Sequence, residues 1–151
     1  MSSFEAKDPN YQSRVEASFD RQQAMHTLGI KLIKLLPGET ELSMPYSQAY
    51  TQQHGFLHAG IVTTALDSAC GYAAFSLMPD DAAVLTVEFK TNLIAPAQGE
   101  RFFFRGRVVK PGRTITVCEA AAYAEYGGSE KLIATMSGTL MAVFGRGGVV
   151  N

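Results

Sequence analysis

The chain has 151 residues, which is long enough for one domain with a sizeable core. Hydrophobic residues make up 46% of it and charged residues 18%, values that exclude a disordered, collagen-like or low-complexity protein. The 13 basic and 14 acidic residues give a formal net charge of −1, so no overall field favours nucleic acid or an anionic membrane. We expect a single domain over residues 1–151 with flexible ends at 1–9 and 145–151.

Neither the N-terminal segment nor the two cysteines indicate secretion, a metal or a membrane. The first ten residues are polar and lack the apolar core of a signal peptide. Cys70 and Cys118 lie in apolar segments without CxxC spacing, so neither a zinc site nor a disulfide framework is indicated. The most apolar stretch, Phe56–Met78, contains His58 and Asp67 and is therefore a poor membrane span. The expectation is a cytoplasmic protein without metal or cofactor, and without nucleic acid or membrane as a partner.

The first third of the sequence predicts a helix, a hairpin and a loop. Residues 10–27 carry apolar side chains at roughly helical spacing, which is typical of one amphipathic helix. Two strand-like runs, Ile30–Leu36 and Thr40–Pro45, flank Pro37-Gly38 and predict a hairpin. The polar stretch Tyr46–Gly55 lacks periodicity and is expected to be a loop.

The remaining sequence predicts one buried helix followed by four strands. From Ala59 to about Leu77 apolar residues occur on every side of the helical wheel, so the helix should be buried all round. Leu85–Leu93 alternates apolar and polar residues with a period of two, and three similar runs follow it after short turns. Short turns favour antiparallel neighbours, hence a meander of these four strands. The order predicts an α+β fold in which one long antiparallel sheet packs around a single apolar helix, with a short N-terminal helix beside it.

The apolar helix contains a carboxylate that requires an explanation. Asp67 is the only Asp, Glu, Lys or Arg between Gln53 and Pro79, and a buried carboxylate costs several kcal/mol unless it is hydrogen-bonded, paired or protonated. One interpretation is structural: Asp67 caps a neighbour on a polar stripe formed with Thr63, Thr64, Ser68 and Gly71. The other is functional, with Asp67 as a general base or nucleophile in a cleft, where burial can raise its pKa.

The start of the same helix has a second feature of chemical interest. His58 stands at the helix start, where a capping or hydrogen-bonded loop histidine is the ordinary role. The small residues Ala59 and Gly60 leave backbone N–H groups accessible, and these favour a developing negative charge. The sequence contains no Gly-x-Ser-x-Gly elbow, so a serine hydrolase is unsupported. It also contains no glycine-rich loop of the kind that binds phosphate between a strand and a helix.

The segment Gln52-x-x-Gly55-x-x-His58-Ala59-Gly60, followed by Asp67, resembles the hotdog-fold thioesterases of the phenylacetate-degradation (PaaI-like) type. The likeness covers roughly residues 29–143 and includes further family features at Thr86–Phe89, Pro96, Gly99 and Gly112-Arg113. It implies a hotdog fold, hydrolysis of an acyl-CoA thioester and no cofactor. The family usually has glycine where this chain has Ala59, which affects the expected tolerance for bulk more than the chemistry.

The resemblance also implies roles for individual residues. The backbone N–H of Ala59 at the helix start, with that of Gly60 as the alternative, would polarise the thioester carbonyl. Asp67 would be the nucleophile or the base that activates water, and both roles stay open. The remaining assignments are an orienting role for Gln52, a loop-fixing and polarising role for His58, and a hydroxyl near the attacking water for Thr86.

The spacing of these groups makes the oligomeric state part of the prediction. His58 and Asp67 are nine residues apart, about 13 Å along one helix, so a single carbonyl cannot contact both in one chain. Two helices antiparallel across a twofold axis would bring them together, and the resemblance implies that arrangement. We expect a homodimer with shared active sites, assembled further into a tetramer as a dimer of dimers, through either helix faces or sheet faces.

Binding of coenzyme A requires cations for its phosphates, and four basic residues cluster around one turn. Arg105, Arg107, Lys110 and Arg113 are candidates for this contact, or else form a solvated outer face of the sheet. Two other functions stay open: a hotdog enoyl-thioester hydratase or dehydratase, whose His-to-carboxylate spacing is longer, and a non-catalytic acyl-thioester binding module with a structural Asp67. The acyl group itself is not specified by the sequence.

Overall fold

The computed structural model describes residues 3–151 and shows one six-stranded antiparallel sheet packed on a central helix. The helices are α1 (Tyr11–Arg21), α2 (Gln23–Leu28) and the central α3 (Ala59–Phe75). The strands are β1 (Lys31–Leu36), β2 (Glu39–Pro45), β3 (Ala82–Leu93), β4 (Arg101–Lys110), β5 (Ile115–Tyr126) and β6 (Ser129–Phe144). The α+β fold, a long sheet around one apolar helix, is confirmed.

The ends of the chain were expected to be flexible. Met1 and Ser2 belong to the first of these ends and lie outside the described residues. The flexibility of 145–151 stays a prediction, although the side chain of Asn151 hydrogen-bonds with Ser18 and Val84. No helix within residues 3–151 is long and apolar enough to cross a membrane.

The strand order differs from the predicted four-strand meander at one point. The order is β1-β2-β4-β5-β6-β3, so β4, β5 and β6 form a meander, whereas β3 pairs with β6 and not with β4. The expected β3–β4 neighbourhood is therefore wrong. Strands β5 and β6 lie between β3 and β4, so the chain must cross three strand spacings, about 14 Å. The seven residues 94–100 span about 23 Å when extended and are therefore long enough for this crossing. This connection follows the end of the sheet, with the N–H groups of Ile94 and Ala95 donating to Ile133 and that of Glu100 donating to Glu125.

A bulge at Val87 divides the alternating pattern of β3 between two faces. The register with β6 shifts between Thr86, which pairs with the buried Leu140, and Glu88. After the shift Phe89 lies opposite Gly138, whose α-carbon faces α3. Directly opposite residues share a face, so Thr86 and Phe89 both face the helix side. The predicted period of two identifies the strand, but its apolar residues before and after Val87 lie on opposite faces.

The predicted N-terminal helix over 10–27 is two helices, because the backbone of Gln22 is extended. The side-chain oxygen of Gln22 accepts a hydrogen bond of 2.9 Å from the Ser68 hydroxyl on α3. The break lets each half bury its own apolar residues, including Phe19 on α1 and Met25 on α2. A contact with α3, distant in sequence, thus interrupts a helix that local periodicity favours.

A glycine on β4 allows the central helix to lie directly on the sheet. A Cβ on Gly106 would stand 2.5 Å from the carbonyl oxygen of Ala69, a distance that real contacts do not show. The Thr40 hydroxyl on β2 donates a 2.8 Å hydrogen bond to that same carbonyl. Gly106 and Thr40 therefore fix the height of α3 above the sheet.

This close approach predicts that Gly106→Ala lowers the free energy of unfolding by about 2 kcal/mol or more, since the methyl must displace helix backbone. Denaturant unfolding measures the change. The matched control is Gly147→Ala, where a Cβ meets nothing within 4 Å. Equal stability of the two variants would show that α3 does not approach β4 as described.

Candidate active site

The loop before α3 fixes the backbone at the helix start. His58 is the N-cap: its Nδ1 accepts a 2.9 Å hydrogen bond from the N–H of Gly60, and its own N–H donates to the carbonyl of Tyr50. The N–H of Gly60 is thus already occupied. Within residues 3–151 the N–H of Ala59 has no hydrogen-bond acceptor. Of the two candidate donors, Ala59 is the one available to a ligand.

Gln52 lies in the same loop and shares a cavity with Ala59. Its side-chain oxygen accepts from the N–H of His54, which leaves its NH₂ group without a protein acceptor in the described residues. The cavity has a volume of about 380 Å³ and is mostly apolar. Its other lining residues are Phe56, Leu57, Val62, Leu93, Ile94, Ala95, Pro96, Ala97 and Ile133. The structure thus brings two predicted site residues, Gln52 and Ala59, into one pocket.

Asp67 lies in the middle of α3 and contacts the predicted hydroxyl on β3. Its Oδ1 accepts a 2.8 Å hydrogen bond from Thr86. Burial raises the pKa of Asp67 above its ordinary value of 3.8, and the Thr86 hydrogen bond counteracts part of that rise. A partly desolvated carboxylate with one free oxygen is suited to attack a carbonyl carbon or to accept a proton from water.

The two halves of the expected site do not meet within one chain. Ala59 and Asp67 are eight residues apart, about 12 Å along α3, and they line different cavities. Asp67 lies on the less buried side of the helix, a stripe formed by Gly60, Thr63, Thr64, Asp67 and Gly71, and the half-buried Ala59 directly precedes the first residue of this stripe. A second helix facing this stripe in the opposite direction would bring one chain's Ala59 near the other's Asp67.

The strand beside that stripe is unpaired on its outer edge within residues 3–151. β3 exposes Val87 by 54%, Phe89 by 44% and Leu93 by 60%. The Thr63 hydroxyl of the helix stripe donates to the hydroxyl of Thr91 on this strand, so helix and strand are contiguous. We call the helix stripe together with β3 the edge surface.

A family model of the thioesterase superfamily matches residues 54–131, which is more than half of the chain and includes Asp67 and the helix start. The chain belongs to the thioesterase superfamily.

Known proteins support this assignment. The crystal structure of a thioesterase family protein from Silicibacter pomeroyi is 65% identical and has a TM-score of 0.89, covering 89% of this chain and 99% of that one. A Saccharolobus solfataricus protein named as a candidate esterase is 33% identical over 97 residues, 64% of this chain and 69% of the relative. Escherichia coli PaaI, from the phenylacetic acid degradation operon, is 17% identical to this chain and has a TM-score of 0.81. The match covers 89% of this chain and 94% of PaaI, and it shows that the two proteins share the hotdog fold. This thioesterase is accordingly a thioester hydrolase.

The four basic residues of the thioesterase differ in whether a carboxylate pairs with them. Arg105 makes two hydrogen bonds to Glu130, of 2.7 and 2.8 Å, and its guanidinium lies 4.7 Å from the ring centre of Tyr123. Arg107 is paired with Glu119. Carboxylates thus neutralise both arginines on the outer sheet face, which favours the solvated-face interpretation. Lys110 and Arg113 are exposed and form no ion pair in the described part of the chain.

Sequence reasoning missed two tyrosines that hold the Gln52 loop of the thioesterase. The Tyr46 hydroxyl donates a 3.1 Å hydrogen bond to the carbonyl of Gly55, and the Tyr50 hydroxyl donates to Thr27. The stretch expected to be plain loop also contains a 3₁₀ turn at Gln48–Tyr50. The available signal was the presence of two tyrosines in a polar segment that precedes a motif residue.

Proposed function

We propose that this protein hydrolyses acyl-CoA thioesters as a homodimer, each active site combining Ala59 of one chain with Asp67 of the other. The observation that carries the proposal is a pair of groups on one helix, one at its start and one in its middle. The free N–H of Ala59 and the desolvated carboxylate of Asp67 are complementary in chemistry but about 12 Å apart. Only a second copy of α3, running antiparallel, lets one carbonyl contact both.

The edge surface supports this arrangement. A long strand with an unpaired edge and exposed apolar side chains is a template for pairing with another chain. Antiparallel pairing of two β3 edges about a twofold axis would cover Phe89 and Leu93 and set the two α3 stripes face to face. The start of each helix would then lie opposite the middle of the other. The site would be complete twice in every dimer.

In this site the Ala59 N–H, at the positive end of α3, donates to the thioester oxygen and stabilises the oxyanion. With Asp67 as base, the carboxylate takes a proton from water while the water oxygen bonds to the carbonyl carbon. The C–S bond then breaks and the electron pair leaves with sulfur. With Asp67 as nucleophile, its oxygen bonds to the carbonyl carbon, the C–S bond breaks and the thiolate leaves; water then hydrolyses the mixed anhydride to the free acid and the Asp67 carboxylate. A thiol pKa near 8–9 allows the thiolate to leave without a strong general acid.

The other motif residues act by positioning. Thr86 donates to Asp67 and holds one carboxylate oxygen, so the other oxygen points to the reaction. His58 accepts the Gly60 N–H and thereby fixes the turn that presents the Ala59 N–H. Gln52 lines the same pocket as Ala59, and its free NH₂ group would orient the attacking water or the carbonyl.

Contacts outside the reacting centre complete the proposal. Lys110 and Arg113, exposed and free of ion pairs in residues 3–151, are the proposed contacts for the coenzyme A phosphates. Exposed Leu85, Ile115 and Val117 offer a surface for stacking two dimers into a tetramer. A cytoplasmic location is part of the proposal, since both cysteines are free thiols.

Ala59→Gly tests the role assigned to the backbone N–H. We expect acyl-CoA hydrolysis to be preserved and bulky acyl groups to be better tolerated, because the variant keeps the donor and loses only a methyl. The measurement is kcat/KM for a small and a bulky acyl-CoA. Loss of activity toward both would mean that the methyl holds the geometry of the helix start.

Release of free thiol from a panel of acyl-CoA thioesters tests the function itself. Turnover supports the proposal. Reversible hydration of an enoyl-CoA without thiol release would instead favour the hydratase, and saturable binding without any turnover would favour an acyl-thioester binding module.

A further inference from the structure

A small polar chamber lies beside Asp67, on the side away from the Ala59 pocket. Its volume is about 100 Å³. It is lined by Gln22, Asp67, Ser68, Gly71, Tyr72, Val84, Thr86 and Asn151. We propose that this chamber receives the end of the acyl group and selects short acyl groups that carry an oxygen substituent, with Asn151 limiting their size and Gln22 binding the oxygen. This inference rests on the proposed thioesterase function.

Asn151 closes one side of the chamber by joining two distant elements. Its side-chain oxygen accepts a 2.9 Å hydrogen bond from the N–H of Val84 on β3, and its NH₂ group donates to the Ser18 hydroxyl on α1 at 3.3 Å. A cavity that binds benzene measures about 150 Å³, and a water occupies about 30 Å³. The chamber therefore has room for about three non-hydrogen atoms and not for an aromatic ring.

The chamber is lined by hydrogen-bonding groups, and Gln22 supplies a free donor. Its Oε1 is occupied by Ser68, whereas its Nε2 has no protein acceptor in residues 3–151. The Tyr72 hydroxyl is engaged with Ser18 at 3.3 Å and, with its pKa raised by burial, stays neutral. An apolar acyl end would leave the Gln22 donor unpaired, whereas a hydroxyl or oxo oxygen would satisfy it.

The shape of the substrate determines which part of it can occupy the chamber and which part the larger cavity. In the proposed dimer a thioester carbonyl between one chain's Ala59 and the other chain's Asp67 lies next to two cavities, of about 380 Å³ beside Ala59 and about 100 Å³ beside Asp67. The coenzyme arm is long and ends in phosphates that must reach solvent. A chamber of about 100 Å³ is too small for this arm, so the arm takes the larger cavity and the acyl end takes the chamber.

The size limit is tested with the full-length protein and two substrates, acetyl-CoA and phenylacetyl-CoA. Asn151→Gly is expected to raise the ratio of kcat/KM for phenylacetyl-CoA over acetyl-CoA about tenfold or more, since a few atoms in a pocket change selectivity by this amount. Asn10→Gly, at an exposed position outside the chamber, is the matched control and should leave the ratio unchanged. A ratio that is unchanged in Asn151→Gly but shifts in Phe56→Ala would place the acyl group in the larger cavity and overturn the proposal.

The preference for oxygen is tested with propionyl-CoA and 3-hydroxypropionyl-CoA. Wild-type protein should favour the hydroxylated substrate in kcat/KM, and Gln22→Ala should reduce that preference about tenfold or more. Gln12→Ala, at an exposed position of α1, is the control. Equal preference in wild-type protein and Gln22→Ala would overturn this role. Absence of thiol release from every substrate by wild-type protein would contradict the thioesterase proposal itself, whereas release with unaltered selectivity contradicts only the chamber.

Discussion

Asp67→Asn is expected to lower kcat/KM for acyl-CoA hydrolysis by about 100-fold or more, since loss of a positioned general base or nucleophile typically costs two to four orders of magnitude. The substitution is nearly isosteric, and the amide oxygen can still accept from Thr86. Steady-state kinetics with thiol detection measures the loss. Asp20→Asn, at an exposed position on α1, is the matched control.

Stability measurements separate this loss from unfolding. Burial raises the pKa of Asp67 in the folded protein, so folding favours the neutral carboxyl. Between the unfolded and folded pKa values the native state binds more protons, and stability falls as pH rises through that range. At pH 7 the neutral asparagine variant should therefore be at least as stable as wild-type protein in thermal unfolding.

The pH dependence of catalysis is a second readout of the same carboxyl. In the pH profile of kcat/KM for wild-type protein, the midpoint of the acid limb should lie above pH 3.8. Near-native turnover in Asp67→Asn would leave Asp67 with a structural role only.

Phe89→Lys is expected to remove nearly all activity by breaking the dimer. Phe89 lies on the helix side of β3 and is 44% exposed in the single chain, so a lysine there is compatible with the fold. In a paired edge surface two charges would face each other across the twofold axis, in an apolar interface that cannot solvate them. Light scattering with size exclusion should show monomers, and thiol release should fall at least about 100-fold.

The matched control for this variant is Ile115→Lys. Ile115 is 43% exposed but belongs to the outer sheet face, so the dimer and its activity should persist while a tetramer formed through that face dissociates. A fully active monomeric Phe89→Lys protein would contradict a shared active site. An active dimeric one would show that β3 is not the contact.

The sequence predicted the elements whose patterns are long and regular. The segment that is apolar on every side is the buried central helix α3, and the four alternating runs are the strands β3, β4, β5 and β6. These segments are recognisable because burial on a helix or strand imposes its period directly on the residues.

The elements that were misplaced depend on contacts between residues far apart in the chain. The seven-residue connection after β3 is compatible with both a neighbouring and a crossing strand, and only packing on β6 decides between them. The break at Gln22 depends on Ser68, 46 positions away. No local pattern encodes either choice.

The candidate site likewise has parts that the sequence indicates and parts that only the folded structure shows. The resemblance implied that the Thr86 hydroxyl lies near the attacking water, and the structure shows that this hydroxyl donates a hydrogen bond to Asp67. The resemblance favoured the N–H of Ala59 and kept that of Gly60 as an alternative, because only the folded loop shows that His58 occupies the Gly60 N–H. Asn151 and Gln22 lie far from the motif in sequence and became visible only through the chamber that they line.

The shared active site is tested most directly by mixing two inactive variants, Asp67→Asn and the double variant Gln52→Ala/His58→Ala. Each homodimer lacks one component at both sites, whereas a mixed dimer has one site with both defects and one with neither. After joint unfolding and refolding, about half of the dimers should be mixed, and roughly a quarter of wild-type activity should return. Charge separation or native mass spectrometry verifies that mixed dimers form. Their formation without any return of activity would show that the groups at the start and the middle of α3 act within one chain.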